Sequence, residues 1–570
     1  MRFPFTKETL RYRSPDHLAA RKLFHVRVGL CVLSGALLGA AFPPSTLGVL
    51  ACFGLVPLLI VIADIPATGL ALRYTYLAMF VFHVITLNWT GGYVEMKDPY
   101  MMIAGAVTMI VHPFFYWLPI GCYLYVRKRL GSMTALLALP FLWVGYEYSH
   151  TLSEWSFPWL TLGNTQSFDL ARIQIAEFTG VLGISFWIVV LNVVAFLVYS
   201  AAAQRKEFPL RFGVRPLLTV FIVLFLAPLV FGLVVLSTAS VDGEHPAMDR
   251  GTVTVGLVQP NLDPWERWSA HGREILEKCW SLTDRLVRET PRPQIVLWPE
   301  TVMPYFLLTP SNAWLLNETR SRAAQDSVAV LLGLPQMVEY PDASRAPKSS
   351  RTDAATGERY DIFNAAAFIQ PGQDSVPWYG KMKMVPIAER VPYAEFFSGL
   401  DFLRWGVGIG GWQIGPGHVV FKDERSGAAF STAICYESVY PAFIAESVRK
   451  GAEFLTIITV DSWWDHMSGA YQHERFAVFR AIENRRWIAR CALGGISCFI
   501  DPYGRVYDAT ALMTTAALSR TIGRSAELTA YTRHGELVGI CCIWATGLFL
   551  ALAAGRAFYE RTRRNQWQQG

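Results

Sequence analysis

Apolar runs of membrane-spanning character are distributed very unevenly along this chain, and that distribution constrains its fold more than any other feature. Seven runs precede residue 240, at about 28–42, 47–63, 74–89, 101–126, 133–148, 173–199 and 216–237, and one more covers 537–558. A bilayer core is about 30 Å thick and takes roughly 20 apolar residues of helix. The chain therefore reads as a multi-span α-helical protein of about eight helices, with a long insertion before the last. The first two runs are short for spanning. Of 570 residues, 52% are hydrophobic and only 17% charged, which is too apolar for an ordinary soluble protein of this length.

The charges orient the chain. Basic residues gather at the N-terminus (Arg2, Lys7, Arg11, Arg13, Arg21, Lys22, Arg27), at Arg127-Lys128-Arg129, at Arg205-Lys206 with Arg211 and Arg215, and at Arg556, Arg561, Arg563 and Arg564. The intervening loops carry few cations. With eight spans, every basic stretch falls on one side, which the positive-inside rule makes cytoplasmic. Both termini are then expected in the cytoplasm, in a bacterial inner membrane, with the insertion in the periplasm. No cleavable signal peptide is expected, because the first run ends at Pro43-Pro44 without a small-residue cleavage site. The net charge of +6 sits beside apolar runs rather than on any groove element, so nucleic acid is not an expected partner. The expected division is 1–240 for the N-terminal membrane part, 241–532 for a periplasmic catalytic part, and 533–570 for the last helix and tail.

Within the insertion, short β-branched runs at 253–259, 295–298, 328–333, 365–369, 428–434, 454–460 and 496–500 alternate with amphipathic stretches at 268–289, 311–325, 440–450 and 472–490. Such alternation predicts a layered α/β domain, and nearly 300 residues suffice to bury a full core. Five of the nine cysteines fall in or near the apolar runs. Cys279, Cys435, Cys491 and Cys498 fall in the insertion without zinc-like spacing, and a disulfide among Cys279, Cys491 and Cys498 stays open. His466 and His473 have no third ligand placed with them, so no metal is expected. Arg475, Arg480, Arg485, Arg486 and Arg490 read as a solvated helix face, paired with Glu474 and Glu483.

Three residues carry candidate chemistry. Glu300 ends the apolar run Ile-Val-Leu-Trp-Pro-Glu, Lys381 follows Trp-Tyr-Gly, and Cys435 ends Ala-Phe-Ser-Thr-Ala-Ile. Alone, each is ordinary: a core thiol, a solvated carboxylate, a surface ammonium. Together they supply a base, a cation and a nucleophile. A free thiol titrates near ~8.5, so a neighbouring carboxylate must take its proton during attack. A lysine cation, with the backbone N–H of Tyr436, can stabilise the oxyanion of a tetrahedral intermediate.

The strings Leu-Trp-Pro-Glu300, Tyr-Gly-Lys381, Val-Pro-Ile-Ala-Glu389-Arg-Val-Pro and Ile-Cys435-Tyr436-Glu437 resemble the nitrilase, or carbon–nitrogen hydrolase, superfamily. With spans on both sides, the chain is similar to the apolipoprotein N-acyltransferase family. Leu87-Asn88-Trp89, Phe157-Pro158-Trp159-Leu160 and Val258-Gln259-Pro260-Asn261 followed by Trp268 also resemble that family's motifs. The resemblance implies eight spans and a periplasmic αββα nitrilase-like sandwich. It implies transfer of an acyl chain from a phospholipid, typically phosphatidylethanolamine, through a thioester on Cys435. The acceptor would be the α-amino group of a diacylated apolipoprotein's N-terminal cysteine. Glu300 would be the general base and Lys381 the oxyanion stabiliser. Glu389, Tyr436 and Glu437 would support or bind substrate, as would Trp268 and Trp159, which match aromatic positions near the substrate entrance. No cofactor is implied, and a monomer among membrane lipids is expected. Ile387, Ala388, Val460, Trp464 and the Cys491–Gly495 stretch depart from the family strings, leaving acyl-chain and acceptor choice open. A membrane-anchored amidase, with water resolving the thioester, and a divergent paralogue with another acceptor are the alternatives.

Overall fold

The computed structural model describes residues 15–93, 97–205, 208, 213–239, 249–265, 272–386, 388–390, 392–393 and 411–569. Trp268 and Ile387 lie outside the described residues.

Among the described residues, six helices are long and apolar enough to cross a membrane: Ala20–Ala40, Thr68–Gly91, Pro99–Leu130, Ala176–Ala202, Val214–Thr238 and Leu537–Trp567. The run at 47–63 forms a shorter apolar helical segment, Gly48–Ala63, and the run at 133–148 forms the 19-residue helix Ser132–His150. Outward-facing apolar side chains mark the lipid-facing surface. Leu218, Val220, Ile222, Val223, Val230, Leu233 and Val234 of one helix are all exposed, an apolar patch that water would not tolerate. The short segment is instead mostly buried, with Val49 and Phe53 exposed. Asn192 holds it by accepting from Leu55 N at 2.8 Å and donating to Ala51 O at 2.8 Å, which satisfies backbone groups freed where the helix breaks.

The insertion forms two sheets. One runs Ala516–Gly523, Thr252–Gln259, Ile295–Leu297, Ala329–Tyr340, Arg359–Ile369, Arg351–Thr352, with Trp378–Gly380 also against Arg359–Ile369. The other runs Val506–Tyr507, Cys498–Ile500, Ile488–Ala492, Phe454–Thr459, Ala429–Ile434, Phe421–Lys422. Side chains alternate across each sheet, as the two-residue period requires. Ala329 and Leu331 join the core between the sheets, where Phe368 meets Phe430 at 5.1 Å, while Val330 and Leu332 pack with Trp280 and Leu286 of the helix Gly272–Arg288. The helices Pro441–Arg449 and Ser468–Asn484 cover the second sheet. The order helix, sheet, sheet, helix is the αββα sandwich.

One sequence expectation changes, and the disulfide left open is answered. The basic stretch is not a solvated face. The helix ends at Asn484, Arg485 turns at φ 47°, and Arg490 lies in the buried strand Ile488–Ala492. Arg480, Arg486 and Arg490 are buried because each fork finds acceptors: Glu483 at 2.9 Å, Glu527 O at 2.7 Å and Asp461 at 2.7 Å. No disulfide forms: all nine cysteines are free thiols, and Cys491 Sγ donates to Val258 O at 3.2 Å.

Candidate active site

Glu300, Lys381 and Cys435 lie just beyond the C-terminal ends of the strands Ile295–Leu297, Trp378–Gly380 and Ala429–Ile434. The Glu300 turn presses against the strand Ala329–Tyr340 at Gly333, where a Cβ would run into Pro299 O, Thr301 N and Glu300 Cα. Only glycine permits that approach.

Lys381 is fully buried, and its Nζ bridges two carboxylates, 2.6 Å from Glu389 Oε1 and 3.3 Å from Glu300 Oε1. Asn364 Nδ2 donates to Glu300 Oε1 at 2.7 Å, and Val385 N donates to Glu389 Oε2 at 2.9 Å. Burial alone works against the charge on Lys381. The charges of Glu300, Glu389 and Cys435 outweigh it and hold the ammonium well above the usual lysine range. Burial pushes the Glu389 carboxyl up, against the pull of Lys381.

Cys435 is half-buried and sits at φ 52°, in the sharp turn between its strand and the 3₁₀ turn Cys435–Val439. Left-handed backbone costs a non-glycine residue roughly 1–2 kcal/mol. Burial, then the charge of Glu300, pushes the thiol well above its ordinary value, while Lys381 works the other way. Cys435 therefore rests as a thiol, and a thiol needs a base before it can attack a carbonyl.

The neighbouring residues hold this geometry. Glu437 Oε1 accepts from Tyr379 OH at 2.6 Å, Met382 N at 2.6 Å and Lys383 N at 3.2 Å, and its Oε2 accepts from Ile434 N at 2.8 Å. This buried carboxylate staples the Lys381 loop to the strand bearing Cys435. Burial raises it to about 7, against those hydrogen bonds. Tyr436 OH donates to Ser156 O at 3.0 Å, and its ring stacks with Trp159 at 6.5 Å and 10°. Trp159 is itself buried, not at an open entrance, and donates to Gln472 Oε1 at 2.7 Å, an atom that also accepts from Trp89 at 3.0 Å. The turn bearing Cys435 thus rests directly on the loops between membrane helices. Trp464 packs on Trp89 at 4.5 Å and Trp265 on Trp463 at 4.8 Å.

Sequence reasoning did not single out Asn364, Tyr379, Asp461 or Gln472, and it weighed His473 only as a metal ligand. His473 instead contacts Asp461, Ser438 and the Cys435 carbonyl. A polar residue inside an apolar strand, Asn364 in Phe-Asn-Ala-Ala-Ala, was the one available signal.

The profile described as the apolipoprotein N-acyltransferase N-terminal domain matches residues 34–194, and that of the carbon–nitrogen hydrolases matches 254–525. An apolipoprotein N-acyltransferase of Chlorobaculum tepidum is 34% identical over 92% of this chain and 96% of its own. One from Geobacter metallireducens is 28% identical over 96% and 98%. Among solved structures, Saccharomyces cerevisiae Nit3, of the nitrilase superfamily, aligns with 48% of this chain and 90% of its own at 15% identity and a TM-score of 0.35.

Proposed function

Because the chain belongs to the apolipoprotein N-acyltransferase family, we propose a two-step acyl transfer through Cys435 as the course of its reaction. The protein is a membrane acyltransferase with a carbon–nitrogen hydrolase domain, and its family implies phospholipid and lipoprotein substrates. In the first step Cys435 Sγ attacks the ester carbonyl of a phospholipid, with phosphatidylethanolamine the expected donor, and Glu300 takes the thiol proton. Lys381 and the Tyr436 N–H hold the oxyanion. The tetrahedral intermediate collapses, the ester C–O bond breaks, and Glu300 returns the proton to the departing lysophospholipid oxygen. In the second step the α-amine of a diacylated apolipoprotein attacks the thioester carbonyl and loses a proton to Glu300. The C–S bond breaks, and the thiolate recovers that proton. A thioester keeps enough acyl-transfer potential for the amide to form.

One observation carries this course most directly: the buried Lys381 ammonium between Glu300 and Glu389. A permanently charged cation at the nucleophile's turn has its strongest effect on an oxyanion, and Glu300 remains to move protons. Glu389 and Glu437 then position the lysine, and Tyr436 and Trp159 seat the turn on the membrane helices. The bundle supports the orientation. Arg129 pairs with Glu560 at 3.2 Å and Arg205 with Asp64 at 2.5 Å at the basic end, whereas Gln472, Tyr436 and Arg485 reach the other end through Thr86, Ser156 and Glu177. That segregation favours basic loops and both termini in the cytoplasm of an inner membrane, with 241–532 on the far side, and a monomer suffices for the site. The membrane relatives favour an amine over water as the final acceptor. The test is single-turnover reaction in phosphatidylethanolamine nanodiscs followed by addition of a diacylated lipopeptide. An N-acylated lipopeptide is expected. Free fatty acid in its place would support the amidase instead.

A further inference from the structure

Behind the nucleophile lies a fully buried chain of polar groups that the reaction as written does not use. His473 Nε2 is 3.1 Å from Cys435 O and 2.8 Å from Ser438 Oγ, and Ser438 Oγ is 2.8 Å from the same Cys435 O. On its other side, His473 Nδ1 is 2.9 Å from Asp461 Oδ1 and 3.1 Å from Arg490 NH2. Arg490 donates to Asp461 Oδ2 at 2.7 Å and to Ile496 O at 2.5 Å, and Thr459 Oγ1 donates to Asp461 Oδ1 at 2.9 Å. The side chains of His473, Asp461 and Arg490 have no solvent exposure. Burial would raise the Asp461 carboxyl, but Arg490 and His473 reverse that and hold it well below the usual range.

The hydrogen-bond roles fix one proton. A carbonyl oxygen only accepts, so the contact with Cys435 O is attractive only if Nε2 carries hydrogen. At Nδ1, a lone pair accepting from Arg490 goes with a protonated Nε2 in the neutral ring, whereas a proton donated to Asp461 leaves Nε2 protonated only in the imidazolium. The rival arrangement has a bare Nε2 accepting from Ser438. It would set two acceptors 3.1 Å apart and take both side-chain donors from the Cys435 carbonyl.

We propose that His473 is a positioning residue for the oxyanion hole, acting through the Cys435–Tyr436 peptide. This rests on the thioester course above. The carbonyl held by His473 belongs to the same planar, trans peptide unit as the Tyr436 N–H, and in such a unit C=O and N–H point in opposite directions. Tying the oxygen to the protein interior turns the N–H toward the opposite side, away from His473. Tyr436 is the second residue of its 3₁₀ turn, so that N–H has no acceptor within the turn and is available to substrate. A donor on the carbonyl also polarises the peptide and strengthens its N–H as a donor. It further resists relaxation of the left-handed Cys435 backbone, which would rotate this plane. Asp461 and Arg490 hold the imidazole in its orientation, as buried partners of histidine do elsewhere.

The test separates oxyanion stabilisation from mere placement of the thiol. Two rates are read at Cys435 by peptide mass spectrometry: acylation by phosphatidylethanolamine in nanodiscs, and alkylation by iodoacetamide. Alkylation forms the S–C bond as iodide leaves and builds no oxyanion. In His473→Phe, acylation should fall on the order of 10- to 100-fold, short of the roughly 10²–10³-fold loss from deleting an oxyanion donor outright. Alkylation and the apparent KM for phospholipid should stay within about 2-fold, consistent with loss of a transition-state interaction alone. His473→Gln, which keeps an N–H near the Nε2 position, should recover most of the acylation rate. A parallel fall in both rates, or no fall in either, overturns the proposal. Should His473→Phe fail to fold, the native protein decides through the ¹⁵N spectrum of histidine-labelled enzyme, with His473 assigned by difference from His473→Gln. A protonated Nε2 is expected, and a bare Nε2 overturns the proposal. Native enzyme that never acylates Cys435 would refute the thioester course instead, while the ¹⁵N spectrum still judges the hydrogen bond.

Discussion

Replacing Lys381 with methionine should separate the two tasks assigned to it. The side chain keeps its length and loses its charge, leaving Glu300 and Glu389 buried on either side of an apolar tip. Side-chain exposures of 0% for Lys381, 6% for Glu300 and 13% for Glu389 mean that little water can compensate. At 2.6 Å the gross Coulomb attraction to Glu389 is about 6 kcal/mol for an effective dielectric near 20. Desolvation offsets much of that. Removing one partner of a buried pair nonetheless costs about 3–5 kcal/mol, because a charge is left alone. The same loss is expected for Lys381→Met, read by pulse proteolysis across a guanidinium series in mild detergent. The double variant Lys381→Met with Glu389→Gln removes one stranded carboxylate and should regain at least half of that stability. It should regain no Cys435 acylation, since the oxyanion cation is still missing. A single variant within about 1 kcal/mol of native would refute the buried ion triad. A double variant acylating at the native rate would remove Lys381 from the oxyanion role.

Three further outcomes follow from the same geometry. Because Cys435 is raised by burial and by Glu300, its alkylation rate should climb steadily with pH and show no plateau below about pH 9, above the range of an ordinary thiol; a plateau near pH 7 would contradict a protonated resting nucleophile. Glu437→Gln leaves a buried donor facing Ile434 N or the Lys381 loop and should cost about 1–3 kcal/mol. The Glu437 carboxyl titrates near about 7 when folded, above its unfolded value, so its proton stabilises the native state at low pH and that contribution is lost as pH rises through 7. The pH slope of stability between about 5 and 8 should accordingly flatten in Glu437→Gln, and an unchanged slope would count against it. Gly333→Ala should push the Glu300 turn outward, cost about 1–3 kcal/mol as an overpacked site, and slow acylation more than alkylation; equal slowing of both would show that the turn was not displaced selectively.

Local periodicity made much of this molecule legible. The apolar runs at 173–199 and 216–237 became the helices Ala176–Ala202 and Val214–Thr238, and the β-branched run at 454–460 became the strand Phe454–Thr459. The strand Ile488–Ala492 was hidden because Arg490 interrupts its apolar run, and the carboxylate that neutralises it lies 29 residues earlier, at Asp461. Helical patterning then ran past the real stop at Asn484. The strand Ala516–Gly523 was missed because it is only partly buried along most of its length. Glu300, Lys381 and Cys435 could be picked out because each stands in a distinctive string, and the fold brings all three to neighbouring strand ends. His473 and Asn364 could not, because each acquires its role only through a partner on another element. Trp159 was legible as a motif residue, but its burial between Gln472 and Tyr436 depends on how the membrane helices meet the sandwich.

The most direct measurement is the mass of the peptide containing Cys435 after native protein is incubated with phosphatidylethanolamine of one defined acyl length. The expected result is a single acyl adduct on Cys435 that hydroxylamine removes, that is absent in Cys435→Ala, and that a diacylated lipopeptide discharges with formation of an amide. A native enzyme that N-acylates the lipopeptide while Cys435 never carries an acyl group would contradict the two-step course.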